Sequence, residues 1–487
     1  MSKSKLTVTR RSLTCELLLI CFLVESFIFL QSINTIDKDS FIRLCQIGTI
    51  DIVISFIILS IAQKRVLTIP NLFFLFFSLF QFGVPILYAI YPNYTNFYTS
   101  LIDINILIKG CKYSILSNLV FSMGLVIASS LKQQKKNAII FSKHSYFHEY
   151  TFMKKASIFL IVASGVVAIP IYTIVALLSI RNGFSQSTRD LLSSNAIFNL
   201  ARAFFIPSCF LYLCYCDRYK DKVSSLIVKF CIFYACIMSL IIGDRSTSIS
   251  WLTAYFYDLY VQSASSTHCR TKRNGKSIFL ILVFFAIAVI ASYIATNRVG
   301  SQNRSIGDIL KGNVFALVTN EMGFNFFSIC FVQMYVPQIT SFQFGLTYLK
   351  SIVGLIPNSI DFLGITDKLV LPGQWMINMN HQRFGTLLDF GTGFSFNAES
   401  YMNFSWGGII ISFFMPLMLK NTLNTLNEND QGWERYYKIA VFSALVTFPR
   451  RTLSETLSAL EYQLFFLGIY LILAHYIISR KSHSEHV

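Results

Sequence analysis

The chain has 487 residues, of which 54% are hydrophobic and only 13% are charged. Because a soluble domain carries about 25% charged residues, this composition excludes a soluble globular protein and predicts an all-α polytopic membrane protein. The net charge of +17 does not indicate a nucleic-acid partner, since the Lys and Arg of cytoplasmic loops account for it. Nearly all of the eleven cysteines lie in apolar runs, where cysteine acts as a small hydrophobe. We therefore predict neither a metal site nor a disulfide framework.

Windows of about 20 apolar residues, the length that crosses a bilayer, occur twelve times along the chain. With the N-terminus in the cytoplasm, alternate threading places dense basic runs such as "KQQKK" on the cytoplasmic side, as the positive-inside rule requires. The sequence thus predicts a multi-pass membrane protein with both termini in the cytoplasm. The predicted spans are 13–31, 46–62, 70–91, 112–131, 156–180, 196–216, 223–242, 247–263, 277–296, 402–420, 436–449 and 461–479.

One connection, between the ninth and tenth predicted spans, is far longer than the others. A connection of that length in a compact protein is usually functional, and the threading places it outside the cell. Its apolar stretches "VFALV" and "FNFFSICFVQMYV" predict amphipathic helices on the membrane surface or packed under the loop. A re-entrant segment or two extra spans is the alternative. We divide the chain into spans one to nine (1–295), an extracytoplasmic loop (296–401) and spans ten to twelve (402–487).

Five arginines lie at the predicted outer ends of spans, in the segments "GDRSTS", "TNRVGSQNR" and "FPRRTLSE". A guanidinium group binds two phosphate oxygens at once and stays charged, and arginine is unusual on the outer side. We therefore predict that Arg245, Arg298 and Arg450 converge on a pyrophosphate group, with Arg304 and Arg451 as second choices. The alternative is that each arginine separately reaches the lipid headgroups.

Glu399 lies in "GTGFSFNAESYMNFSWGGII", just before the tenth predicted span. A carboxylate at the outer membrane edge can act as a general base, and the alternative is that it caps the helix that follows. His381, in "NMNHQRFG", is the one histidine on the predicted outer face and the reserve candidate for the base, unless it is an ordinary surface-loop histidine. Asp389, Tyr401 and Asn403 flank Glu399 and are predicted to contact a glycan.

Several stretches resemble the Wzy-type oligosaccharide repeat-unit (O-antigen) polymerases. "FGTLLDFGTGFSFNAESYMNFSWGGIIISFF" resembles their late motif, and "FGLTYLKSIVGLIPNSI" resembles the outer-loop segment that precedes it. "GDRSTSISWL" and "NRVGS" look like their mid-chain arginine hairpins. The pattern covers roughly residues 240–465.

The resemblance implies a GT-C-like membrane glycosyltransferase that uses no metal and no other cofactor. Such an enzyme lies in the bacterial cytoplasmic (inner) membrane. It transfers a growing glycan from undecaprenyl pyrophosphate to a lipid-linked oligosaccharide repeat unit on the outer face of that membrane. A chain-length regulator and a flippase are its expected partners, besides the lipid-linked substrates and the bilayer. Two other functions stay open: an O-antigen ligase, with a lipid A acceptor, and a lipid-linked oligosaccharide flippase or transporter. A transporter would have broken helices and a polar central cavity.

Overall fold

The computed structural model of the protein consists of helices and the connections between them wherever it describes the chain. It describes residues 10–33, 35–64, 66–131, 143–182, 196–216, 222–265, 286, 289, 314–355, 370–385, 393–420, 432–473 and 476. Within these ranges no strand occurs, which agrees with the predicted all-α class. Arg298, Arg304, Asp389 and nearly all of the ninth predicted span lie outside them.

The helices in the first half of the chain are long, and several in the second half are short and interrupted. The first nine are α1 (Arg10–Ser32), α2 (Lys38–Gln63), α3 (Ile69–Ile90), α4 (Phe97–Leu101), α5 (Ile104–Ser130), α6 (Lys143–Asn182), α7 (Ala196–Cys216), α8 (Lys222–Ile242) and α9 (Arg245–Ser265). The others are α10 (Val314–Gly323), α11 (Phe326–Tyr335), α12 (Leu346–Val353), α13 (Pro372–Phe384), α14 (Phe396–Phe404), α15 (Ile409–Met418), α16 (Gly432–Thr447) and α17 (Leu453–Leu460). A 3-10 turn (Ser405–Gly408) joins α14 to α15, and another (Phe448–Arg450) follows α16.

Ten segments of the described chain are long and apolar enough to cross a membrane. Nine of them overlap predicted spans, which confirms the polytopic helical class. The count of twelve is not confirmed, because α9 is too polar and α16, with 16 residues, is too short to qualify. The one segment that overlaps no predicted span, Val314–Tyr335, falls inside the predicted extracytoplasmic loop.

Val314–Tyr335 is not a straight helix, since it breaks between α10 and α11. Every residue of α11 is buried, which disagrees with a position on the membrane surface and agrees with the other predicted possibility, a helix packed under the loop. In the first half, Asn320 Oδ1 accepts a hydrogen bond from Asn96 Nδ2 at 2.9 Å. In the second half, the ring of Phe327 lies 5.3 Å from that of Tyr98 in α4. Both sides of the break thus contact the connection between α3 and α5.

The segment Phe396–Met418 also folds back on itself. Ser117 Oγ donates to Asn397 Oδ1 at 2.7 Å and lies 2.7 Å from Ser412 Oγ. In a straight helix Asn397 and Ser412 would be about 22 Å apart. The chain therefore reverses between them, at the 3-10 turn where Ser405 adopts a φ of 54°. The predicted straight tenth span, 402–420, is replaced by a re-entrant hairpin of α14 and α15.

The chain forms two compact units, and neither coincides with one of the three predicted segments. The first unit comprises Met1–Gln134, Phe315–Thr425 and Leu445–Leu457. Its core is built from buried apolar side chains of α2, α3, α5 and α11. The second unit comprises Lys135–Val314, Leu426–Ala444 and Ser458–Val487, and there α6 packs against α7 and α8.

Candidate functional site

In the first unit, interrupted segments meet beside the middle of α3 and α5 rather than at their ends. Ser117, which binds the start of α14 through Asn397, is the central residue of α5. Gln81 of α3 donates a short hydrogen bond from Nε2 to the carbonyl oxygen of Pro449, in the 3-10 turn after α16. At 1.5 Å per residue these positions lie about 14 to 20 Å from the ends where α4 connects the two helices. The prediction that Glu399 and the 450–451 arginines lie at a membrane edge stays a prediction.

Buried amide side chains hold the backbone of the turn that carries the two arginines. Gln81 binds Pro449, and Asn325 Nδ2 donates to the carbonyl oxygen of Arg450 at 3.1 Å. Asn325 Nδ2 also donates to the carbonyl oxygen of Phe394 at 2.9 Å, and so links this turn to the start of α14. Non-helical backbone at membrane depth must be satisfied by protein or by water. Since Gln81 is 0% and Asn325 is 2% exposed, protein supplies these bonds, and they fix the position of the turn.

Glu399 is a third buried side chain that binds the backbone near the two arginines. Its carboxylate is 1% exposed; Oε1 accepts from Thr347 Oγ1 at 3.0 Å and Oε2 from the backbone N–H of Leu453 at 2.8 Å. This is the arrangement expected of a helix cap, but the capped helix is α17, since α14 has Ser395 as its own N-cap. Both oxygens of Glu399 are thus engaged by protein donors. Burial raises the pKa of neighbouring Tyr348, and the Glu399 carboxylate raises it further.

The two described residues that were predicted to bind glycan are parts of the same buried network. Asn403 is fully buried; its Nδ2 donates to Thr347 Oγ1 at 2.6 Å and to the carbonyl oxygen of Glu399 at 2.8 Å. Its Oδ1 accepts from the N–H of Gly345 at 2.9 Å. Tyr401 is 8% exposed. The amide of Asn403 is therefore bonded within the protein, and the contact of Asn403 and Tyr401 with a glycan stays a prediction.

The exposed acid of this region is one that the sequence interpretation missed. Glu455 lies in the first turn of α17, and its side chain is exposed. Its backbone N–H binds Thr452 Oγ1 at 3.2 Å, so Thr452 and Glu455 have the spacing of a capping box. The positive charges of Arg451 and Arg450, both half-buried, act on the Glu455 carboxylate. The signal that could have revealed this acid is its spacing from two arginines in "FPRRTLSE".

The remaining predicted residues are not brought into this cluster by the described contacts. His381 is exposed in the last turn of α13, not in a loop. It lies eight residues, or about 12 Å of helix rise, beyond Gly373, the residue of α13 that lies beside Glu455. Arg245 is the first residue of α9 in the second unit. The convergence of Arg245 and Arg298 with Arg450 stays a prediction.

Span-length helices, interrupted segments and a buried polar cluster beside two arginines describe a polytopic membrane protein with a candidate site in its first unit. A family model described as "O-antigen polysaccharide polymerase Wzy" matches residues 17–481, nearly the whole chain. The chain therefore belongs to the Wzy family of O-antigen polysaccharide polymerases, which confirms the resemblance seen in its motifs. Searches of curated proteins and of solved structures found no match.

Family membership makes the chain a glycosyltransferase-type polymerase of lipid-linked oligosaccharide repeat units. Together with the ten span-capable segments, it supports a multi-pass protein of the bacterial inner membrane.

Proposed function

We propose that the chain is a GT-C-like repeat-unit polymerase that works on the outer face of the cytoplasmic membrane. It transfers a growing glycan from undecaprenyl pyrophosphate to the non-reducing end of a newly flipped, lipid-linked repeat unit. The observation that carries this proposal concerns residues 448–451, which we call the arginine turn. Buried side chains bind the backbone of Pro449 and Arg450 and so fix the turn beside the middle of α3. Charged side chains at such depth are costly and are usually functional.

The arginine turn supplies what the reaction needs on the donor side. Pyrophosphate departs with additional negative charge, and preorganised guanidinium groups stabilise that charge as it develops. Arginine binds phosphate oxygens bidentately and is always charged, so the step we propose needs no metal ion. Glu399, whose contacts hold the start of α17, keeps the arginines in place. Arg245, Arg298 and Arg304 complete the proposed pyrophosphate site.

A flippase or transporter is the second candidate, because re-entrant segments at mid-helix depth are also typical of transporter binding sites. Deleting the gene and sizing the surface polysaccharide distinguishes the candidates. A polymerase mutant displays single repeat units, whereas a ligase mutant accumulates a full ladder on undecaprenol. A flippase mutant retains its repeat units on the cytoplasmic side. We expect single repeat units, and a full ladder or internal retention would overturn the proposal.

The proposed orientation places both termini in the cytoplasm, where the basic runs lie, and residues near 300–395 outside. Ser301 and Thr386 are suitable positions for single cysteines on a background without the other cysteines. We expect a membrane-impermeant thiol reagent to label both from outside. Labelling of either position only after the membrane is opened would contradict this orientation. A chain-length regulator and a flippase remain the proposed protein partners, and crosslinking from the outer segments would test for them.

A further inference from the structure

Two glutamates flank the arginine turn, and their surroundings differ sharply. Glu399 is 1% exposed, and both of its oxygens accept hydrogen bonds from protein donors. Glu455 is exposed, and its carboxylate makes no hydrogen bond to any residue that the structure describes. A group that exchanges a proton with a substrate must be within hydrogen-bond reach of it. The Glu455 carboxylate is accessible to a substrate, whereas the Glu399 carboxylate is buried and already bonded.

Charged groups and the start of α13 surround the Glu455 side chain. Arg451 and, more weakly, Arg450 act on its carboxylate, and Glu399 lies near enough for the two acids to influence each other. On the other side is Gly373 at the start of α13, where even an added Cβ would be 3.9 Å from Glu455 Oε1. Two guanidinium groups allow an anionic base and an anionic leaving group to lie near each other. The position is therefore suited to a carboxylate that works next to a bound pyrophosphate.

We propose that Glu455 is the general base for the acceptor hydroxyl, an inference that rests on the proposed polymerase function. The hydroxyl oxygen of the acceptor repeat unit forms a bond to the anomeric carbon of the donor glycan. The bond from that carbon to the pyrophosphate oxygen breaks, and undecaprenyl pyrophosphate leaves with the electron pair, held by Arg450 and Arg451. The hydroxyl proton passes to the Glu455 carboxylate. Glu399 is then a positioning residue, which holds the turn through Leu453.

The competing interpretation is that Glu455 only completes the capping box of α17. In a capping box, the acid at the third helical position binds the free N–H of the N-cap residue, here Thr452, and glutamine serves there as well as glutamate. Glu455→Gln therefore preserves the cap but removes the base. Glu399→Gln is the matched control, because it replaces one acceptor oxygen of a buried, fully bonded carboxylate with a donor.

The test uses purified full-length protein in detergent or nanodiscs with lipid-linked repeat unit as substrate. We expect Glu455→Gln to keep the melting temperature and the donor affinity of the wild type and to polymerise about 10²–10⁴-fold more slowly. We expect Glu399→Gln to lower the melting temperature. A wild-type rate for Glu455→Gln would overturn the proposal, and so would a loss of rate that is matched by a loss of stability.

A second variant keeps the test independent of capping. Glu455→Ala with added formate supplies a small carboxylate in the space that the side chain leaves. We expect formate to restore part of the transfer rate of Glu455→Ala. The transfer rate of Glu399→Ala should be the same with and without formate. A purely structural role for Glu455 would not produce this difference. No restoration at any formate concentration would overturn the proposal. If the wild-type protein itself made no polymer from this substrate, the proposed polymerase function would have failed and the role of Glu455 with it, whereas an active wild type with an equally active Glu455→Gln would overturn the role of Glu455 alone.

Discussion

In the second compact unit, buried charges pair with each other, whereas in the first unit buried polar side chains bind the backbone of interrupted helices. Arg435 of α16 donates two hydrogen bonds to Asp258 of α9, from Nε at 3.0 Å and from Nη2 at 2.6 Å, with both side chains less than 10% exposed. In the first unit Gln81 and Asn325 bind carbonyl oxygens of residues 449 and 450. The first arrangement joins two regular helices, and the second stabilises a break.

This difference distinguishes the second unit, where buried polar groups join regular helices, from the first unit, which contains the candidate site. A buried ion pair can be replaced by packed apolar side chains at little cost, because its Coulomb energy is offset by lost hydration. Backbone carbonyls and amides in a break cannot be replaced, so their side-chain partners are needed wherever the break is kept. A fold keeps such breaks for a reason other than stability, and in this chain the break carries two arginines and an exposed glutamate.

The largest effect on stability is expected in the second unit. Arg435→Ala leaves the Asp258 carboxylate buried beside Gln262 without its bidentate partner, which costs about 3–5 kcal/mol. The double variant Arg435→Met with Asp258→Leu removes both charges and should recover most of that loss. Thermal unfolding of the detergent-solubilised protein measures both changes. A double variant as unstable as Arg435→Ala would show that the ion pair is not exchangeable for apolar packing.

The next effect is on activity and concerns the arginine turn. Arg450→Lys and Arg451→Lys keep the charge but lose the bidentate guanidinium group. We expect each to reduce polymer formation about 10²–10³-fold, as removal of one preorganised donor does in other active sites, with an unchanged melting temperature. Polymer length and yield from membranes with matched protein levels measure the effect. Normal polymer from both lysine variants would remove the arginines from the proposed site.

A smaller loss of stability is expected at the break itself. Asn325→Leu leaves the carbonyl oxygens of Phe394 and Arg450 without their buried donor, at a cost of about 1–3 kcal/mol. Because the turn is then free to shift, activity should fall as well. Gln374→Leu is the matched control, since the Gln374 amide is exposed and binds Asn378 of its own helix. Equal melting temperatures for the two variants would contradict the structural role of Asn325.

The smallest effect is expected beside the buried ion pair. Glu434 is 66% exposed and pairs with Lys438 one turn along α16 at 2.9 Å. Because exposed pairs of this kind contribute little, Glu434→Gln should change the unfolding free energy by about 0.5 kcal/mol or less. The same thermal scan that tests Arg435→Ala measures it. If Glu434→Gln destabilised the protein as much as Arg435→Ala, burial would not explain how much each of these two adjacent residues contributes to stability.

Much of the architecture and the family could be predicted from the sequence, but the site could be predicted only in part. Hydropathy located nine of the ten span-capable segments, because a bilayer-crossing helix needs a continuous apolar run. Motif resemblance identified the family and directed attention to Glu399 and "FPRRTLSE". It did not show that Glu399 caps a helix 54 residues further on, or that Asn403 is buried with its amide fully bonded. Those facts depend on partners far away in the chain.

The sequence by itself determined that this protein is a helical, multi-pass membrane protein of the Wzy family, because composition, apolar window length and local motifs are properties of consecutive residues. Only the tertiary structure decided that Phe396–Met418 turns back at Ser405 and that the arginine turn lies beside the middle of α3 and α5. A 23-residue apolar stretch has the same hydropathy whether it crosses straight or folds back. The fold of this stretch depends on hydrogen bonds that Ser117 makes to residues within it and that Asn325 makes just before it, and no local sequence pattern connects Ser117 or Asn325 to it.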